Sequence, residues 1–262
     1  MSNSKPVKSV LISQPPPAED SPYHQLARKF KLDLEFRKFI QVEGLTLNDF
    51  RKQGLNPLDY TAIIFTSKVP IDHFFRLMGE MRVEMPPETK YLCVSEATAR
   101  YLQRYIQIRK RKLFVGERTV MDLVPFINKF KKENKKERYL FPSSEGPQAE
   151  LLDHMRTNGF DVTTAAIHRT VDSDLSDVNI RNYDMLCFFS PAGIKSLFHN
   201  FPGYEQGETR IAVFGPTTAK EATGAGLRID IEAPKPNLPS MTAAIEHYFQ
   251  SIGQKASPQT SK

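Results

Sequence analysis

The stretch YTAIIFTSKVPIDHFF, Tyr60–Phe75, returns later in the chain as YDMLCFFSPAGIKSLF, Tyr183–Phe198, without a gap and at an offset of 123 (183 − 60). Each copy opens on Tyr, runs through a short apolar stretch and reaches a serine, Ser67 or Ser190. Each then takes helical spacing and ends in Phe. A short apolar run bounded by turn residues reads as a buried strand, and the spacing that follows reads as a helix. The repeated unit is therefore strand, serine turn, helix.

The repeat extends outward in the same order. YLCVSEATARYL (Tyr91–Leu102) lies over IAVFGPTTAKEA (Ile211–Ala222) at an offset of 120, and DLVPFINKF (Asp122–Phe130) over MTAAIEHYF (Met241–Phe249) at 119. A period this long is not a solenoid repeat; it describes two similar domains. Both halves alternate β-rich runs with helical patterns, which implies parallel sheets covered on both faces.

A third correspondence gives the domain order. Val10–Val42 resembles Tyr139–Thr170: each is strand, polar turn, helix and a long extended stretch. In the first copy this unit precedes the repeated core, and in the second it follows. The N-terminal segment can therefore complete the C-terminal sheet. The expectation is a discontinuous α/β domain, 1–38 with 172–262, and an inserted α/β domain, 45–165. The linkers are then 39–44 and 166–171, and two crossings place a cleft between the domains.

Composition narrows the function classes. With 262 residues, 40% hydrophobic and 25% charged, the chain can bury two cores. The N-terminus lacks an apolar signal segment, and no run reaches the ~18 residues of a membrane span. Two cysteines, Cys93 and Cys187, sit inside apolar runs and read as buried free thiols. That places the protein in the cytoplasm. The net charge of +6 invites a polyanionic partner. Its basic runs, Arg109–Lys112 and Lys129–Arg138, do not interleave aromatics and read as a solvated helix end and loop, not a nucleic-acid surface. Residues 1–7 and 253–262 are polar and aperiodic, so mobile ends are expected.

In a parallel α/β sheet, ligands bind beyond the carboxyl ends of the strands, where helix N-termini offer free N–H groups to carboxylate or phosphate. Hydroxyl residues stand at these turns: Thr66, Ser67, Ser95 and Thr98 in one half, Ser190, Thr217 and Thr218 in the other. Each alone reads as a helix cap; the two sets together point to an anion site. No GxGxxG after a strand, P-loop, HExxH or CxxC is present, and the six histidines show no metal-ligand spacing. His154 and His247 fall in amphipathic helices as surface residues. Any catalysis here works by holding a polyanion.

FTSKVPIDHFF, FFSPAGIKSLF, FGPTTAKEATGAGL and the Gly-Phe-Asp-Val…His-Arg-Thr crossing resemble the uroporphyrinogen-III synthase family, from about Val10 to Phe249. The resemblance implies two flavodoxin-like parallel-sheet domains joined by a two-stranded ladder. It also implies cofactor-free cyclisation of hydroxymethylbilane, a linear tetrapyrrole with eight carboxylates, with inversion of ring D, by a monomer. Ser67 matches the family's FTS turn and Thr98 its ATA turn. Ser190, Pro191 and Gly193 match its SPSG turn, and Thr217-Thr218 its GPTTA turn. Two positions depart from the pattern: Ser95 stands where the family usually has Gly, and His168 where it has a Tyr proposed to assist departure of the hydroxyl. The resemblance thus makes His168 the catalytic candidate, as an imidazole donor whose pKa a substrate carboxylate would raise. The other reading is a non-catalytic paralogue that binds a tetrapyrrole or another polyanion.

Overall fold

The computed structural model describes residues 6–107, 109–132, 137–145, 149–254 and 256. The middle of the second basic run (133–136), residues 146–148 and most of the polar ends lie outside the described residues.

In chain order the elements begin with β1 (Ser9–Ile12), α1 (Pro22–Phe30), β2 (Asp33–Phe36) and β3 (Ile40–Gly44). Next come α2 (Leu47–Arg51), β4 (Ala62–Phe65), α3 (Lys68–Met81), β5 (Lys90–Cys93), α4 (Glu96–Leu102) and β6 (Leu113–Val115). Then follow α5 (Val124–Lys132), β7 (Tyr139–Ser144), α6 (Ala149–Thr157) and β8 (Val162–Asp172). The last are β9 (Met185–Phe188), α7 (Pro191–Asn200), β10 (Arg210–Phe214), α8 (Pro216–Gly224), β11 (Ile231–Ala233) and α9 (Met241–Ser251).

The chain divides into two compact units, one of residues 1–41 with 171–262 and one of 42–170. The first contains a sheet of order β11-β10-β9-β1-β2. Its strand pairs are parallel, with β1 between β2 and β9. Counted within the unit this is 5-4-3-1-2, the flavodoxin order. The N-terminal strand does complete the C-terminal sheet.

Strand alternation divides the side chains of this sheet between two cores. Val10, Ile12, Met185, Cys187 and Ala212 pack with Leu26, Phe30, Met241 and Phe249 from α1 and α9. The intervening Leu11, Leu186, Phe188, Ile211 and Val213 pack with Ile194, Leu197 and Ala222 from α7 and α8. Burial on both faces explains why these strands read as unbroken apolar runs.

The second unit's sheet runs β3-β8-β7-β4-β5-β6. Without β3 it is the same order with its first strand–helix–strand unit, β7-α6-β8, moved to the end of the sequence. Ile63 and Phe65 face Phe74, Leu77 and Ala99, from α3 and α4. Ala62 and Ile64 face Ile127, Phe130 and Met155, from α5 and α6. The edge strand β3 joins β8 by hydrogen bonds from Leu45 N to Ile167 O and from Ser173 N to Phe39 O, so the two strands run antiparallel. The unit boundaries fall inside this two-stranded ladder.

Candidate functional site

Each unit presents three adjacent turns at the carboxyl ends of neighbouring strands. In the first unit they follow β1 (Ser13), β9 (Ser190) and β10 (Gly215); in the second they follow β7, where Ser143 and Ser144 end the strand, β4 (Ser67) and β5 (Ser95). The topology makes these sets equivalent, strand for strand. Sequence reasoning missed Ser13 and Ser143. The signal was present, because VLIS and YLFPSS are the displaced pair of the third repeat.

The turns differ in whether they are closed by their own side chains. Ser190 caps α7 by accepting from Gly193 N at 3.2 Å. Ser95 caps α4 by accepting from Thr98 N at 3.3 Å, and its hydroxyl also meets the Thr98 hydroxyl at 3.0 Å. Pro191 occupies the first position of α7, where no N–H is needed. Gly193 is packed close: a Cβ there would sit 3.6 Å from Ser190 Oγ and 3.7 Å from Ser13 Oγ.

The turns before α3 and α8 are open. Ser67 precedes α3 and makes no cap hydrogen bond. Of the two helical N–H groups that a cap hydroxyl can bond, the third is missing here, because the third residue of α3 is Pro70. Ser67 and the first two residues of α3, Lys68 and Val69, are exposed, beside half-buried Thr66. α8 is preceded by Gly215, which has no side chain to cap with. Thr217 and Thr218, expected to cap this helix, are instead its second and third residues. Pro216 takes the first helical position, so the cap falls on the glycine before it. Thr217 is exposed, whereas Thr218 is only 1% exposed.

Gly215 has φ 90 and ψ 148, a conformation essentially restricted to glycine, and nothing lies within 4 Å of where its Cβ would be. Among the described residues, each unit therefore carries a helix, α8 in the first and α3 in the second, whose start has no side-chain cap hydrogen bond. Half-buried Phe189 and Phe214 stack beside the first unit's turns with centroids 6.0 Å apart.

His168 lies on β8, beside the Ser143–Ser144 end of β7. Between Ser143 and Ser144 the β7–β8 register slips: Ser143 pairs with Ala166 and Ser144 with His168. The extra residue, Ile167, interrupts the expected alternation, so Ile167 and His168 are both buried. His168 is 8% exposed and its Nδ1 has no hydrogen-bond partner. Its ring lies against that of His73 on α3. Burial, and secondarily His73, push the His168 pKa below its ordinary value. His73 is lowered by burial and then by Arg76, against a smaller raising effect of Asp72.

Cys93 and Cys187 are buried free thiols, and burial pushes Cys93 up to about 12. His154 and His247 are exposed. Among the described residues, no helix is long and apolar enough to cross a membrane.

The family described as Uroporphyrinogen-III synthase HemD matches residues 28–243. The chain belongs to the uroporphyrinogen-III synthase family. Among solved structures it is similar to a mutant uroporphyrinogen III synthase from Thermus thermophilus, with 16% identity and a TM-score of 0.52, covering 93% of this chain and 99% of that one. It is also similar to uroporphyrinogen-III synthetase from Helicobacter pylori, at 16% identity and a TM-score of 0.54, with the same coverage. At this identity the likeness establishes the shared fold. No curated protein matches the sequence.

Proposed function

We propose that this member of the uroporphyrinogen-III synthase family is a working cyclase, converting hydroxymethylbilane into uroporphyrinogen III as a cytoplasmic monomer. The observation that carries the reading is the pair of open helix starts at the carboxyl ends of the strands, one in each unit: Ser67 before α3 and Gly215 before α8. A helix start with free N–H groups stabilises an anion by direct hydrogen bonding and by the helix dipole. A linear substrate with eight carboxylates gives each unit its own anions to hold, and the net charge of +6 favours their capture. Ser95, Thr98, Ser190, Pro191 and Gly193 shape the neighbouring turns, and Phe189 and Phe214 offer apolar faces to pyrrole rings.

The chemistry is dominated by positioning. Loss of the hydroxyl from ring A, as water, leaves an electrophilic azafulvene. Ring D attacks through its already substituted carbon, giving a spiro pyrrolenine that fragments and recloses with ring D inverted. The unguided bilane closes without inversion, so what the protein supplies is a geometry that favours the substituted carbon. His168 is the proposed donor to the departing hydroxyl. Support comes from its unpartnered Nδ1, since a buried polar atom without a partner is costly and uncommon. With its pKa lowered, it would donate as a neutral imidazole.

The bilane's rate of disappearance tests the reading. Consumption should rise in proportion to the amount of protein added. A binding paralogue would slow the loss or leave it unchanged, and either outcome contradicts an active cyclase.

A further inference from the structure

At the opposite, N-terminal edge of the second unit's sheet lies a cavity of about 420 Å³, a size suited to small-molecule sites. The C-terminal half of α3 forms one wall, and the segments entering β5 and β6 form the others. Its apolar lining includes Met78, Met85 and a stacked pair, Phe75 and Tyr105, with centroids 5.0 Å apart and planes 13° from parallel. The Tyr105 hydroxyl is already committed, donating to Asp72 at 2.5 Å.

Two other hydroxyls in the lining are not committed. Thr89 and Tyr91 are 3% and 5% exposed, and neither side chain has a hydrogen-bond partner among the described residues. Burial holds the Tyr91 phenol protonated, with its pKa raised. The lining mixes apolar and polar surface in about equal shares, and a few convergent polar groups are what orient a ligand in a pocket. Charge does not select the ligand. Arg109 and Lys112 in the lining are balanced by Glu84 in the lining and by Glu88, whose carboxylate holds Lys112 at 2.5 Å.

We propose that this cavity binds a small, flat, uncharged aromatic molecule carrying a hydrogen-bond acceptor. The ligand's ring packs on Met78 and the Phe75–Tyr105 pair, and its acceptor takes hydrogen bonds from the Tyr91 and Thr89 hydroxyls. The cavity lies away from the strand ends that carry Ser67 and Ser95, so this site is separate from the bilane site and does not depend on it.

Coumarin, a flat lactone that accepts but does not donate, is a suitable probe with the full chain. Saturation-transfer NMR should show contact with its ring protons and saturable binding. Gly79 lines the cavity, and a Cβ there would meet nothing within 4 Å. Gly79→Leu should therefore fill the space, favour the helix and abolish the signal. Tyr91→Phe removes one hydroxyl with little change of shape and should weaken binding about fivefold to tenfold, as for a lost hydrogen bond. Absence of coumarin contact with the wild-type chain would overturn the proposal. So would unchanged binding in a folded Gly79→Leu variant or, if that variant does not fold, in Tyr91→Phe.

Discussion

The imidazole rings of His73 and His168 lie 5.7 Å apart between centroids and 20° from parallel, one on α3 and the other on β8. The strand beside them accommodates the pair: a Cβ on Gly44 would fall 2.4 Å from His73 Nδ1. Any larger residue at position 44 would displace that ring or the Arg76 guanidinium.

Both histidines have pKa values below the ordinary range, so folding favours their neutral forms. The unfolded chain then binds more protons than the folded chain as pH falls through about 6.5. Stability contributed by the neutral pair is complete above that pH and is lost as pH drops toward and through the folded pKa values. Thermal midpoints recorded from pH 7.5 to 5 should fall, and His168→Phe should fall less steeply. Equal slopes for the two proteins would show that His168 does not contribute.

The same lowered pKa bears on turnover. A neutral imidazole donor gives a rate that stays level from pH 7 to 9, with no alkaline decline from His168. His168→Tyr should retain activity, and His168→Phe should slow single turnover by about tenfold to a hundredfold, as for a lost acid. A Phe variant as fast as wild type across that range would remove His168 from the chemistry.

Closed and open turns predict separable effects. Ser95→Ala and Ser190→Ala each lose a cap and should cost about 1 kcal/mol of stability. Ser67→Ala and Thr217→Ala lose no cap and should leave the melting midpoint unchanged while weakening use of the bilane. Gly215→Ala should cost roughly 1–3 kcal/mol, because its φ of 90 suits only glycine. Melting curves set beside bilane consumption separate these classes; a destabilised Ser67→Ala with unaltered turnover would reverse the assignment.

The repeated stretches made much of this fold legible. Tyr60–Phe75 and Tyr183–Phe198 fold as β4-turn-α3 and β9-turn-α7, because local pattern and turn chemistry decide short strands and their caps. Pro216 could also have shown that α8 is capped by Gly215. The approach of His73 to His168 was not legible. It depends on how α3 packs on β8 and on a one-residue bulge, and neither leaves a periodic trace in sequence. Pro70 marks the missing third N–H of α3 only once the helix start is fixed to the residue.

The inserted unit should fold by itself. The buried residues of its two cores are drawn wholly from residues 50–167, with its sheet covered on both faces. A fragment of residues 45–165, the boundaries read from sequence, should show amides protected from hydrogen exchange in β4, β5 and β7. A fragment lacking protected amides would contradict this.

The most direct test of the central claim is regiochemical. Freshly generated hydroxymethylbilane is mixed with the purified full chain, the products are oxidised, and the uroporphyrin isomers are resolved. An enzyme that directs ring D through its substituted carbon gives isomer III as the dominant product, in a proportion that grows with protein concentration. Isomer I alone, at the proportion formed in buffer, would contradict the account.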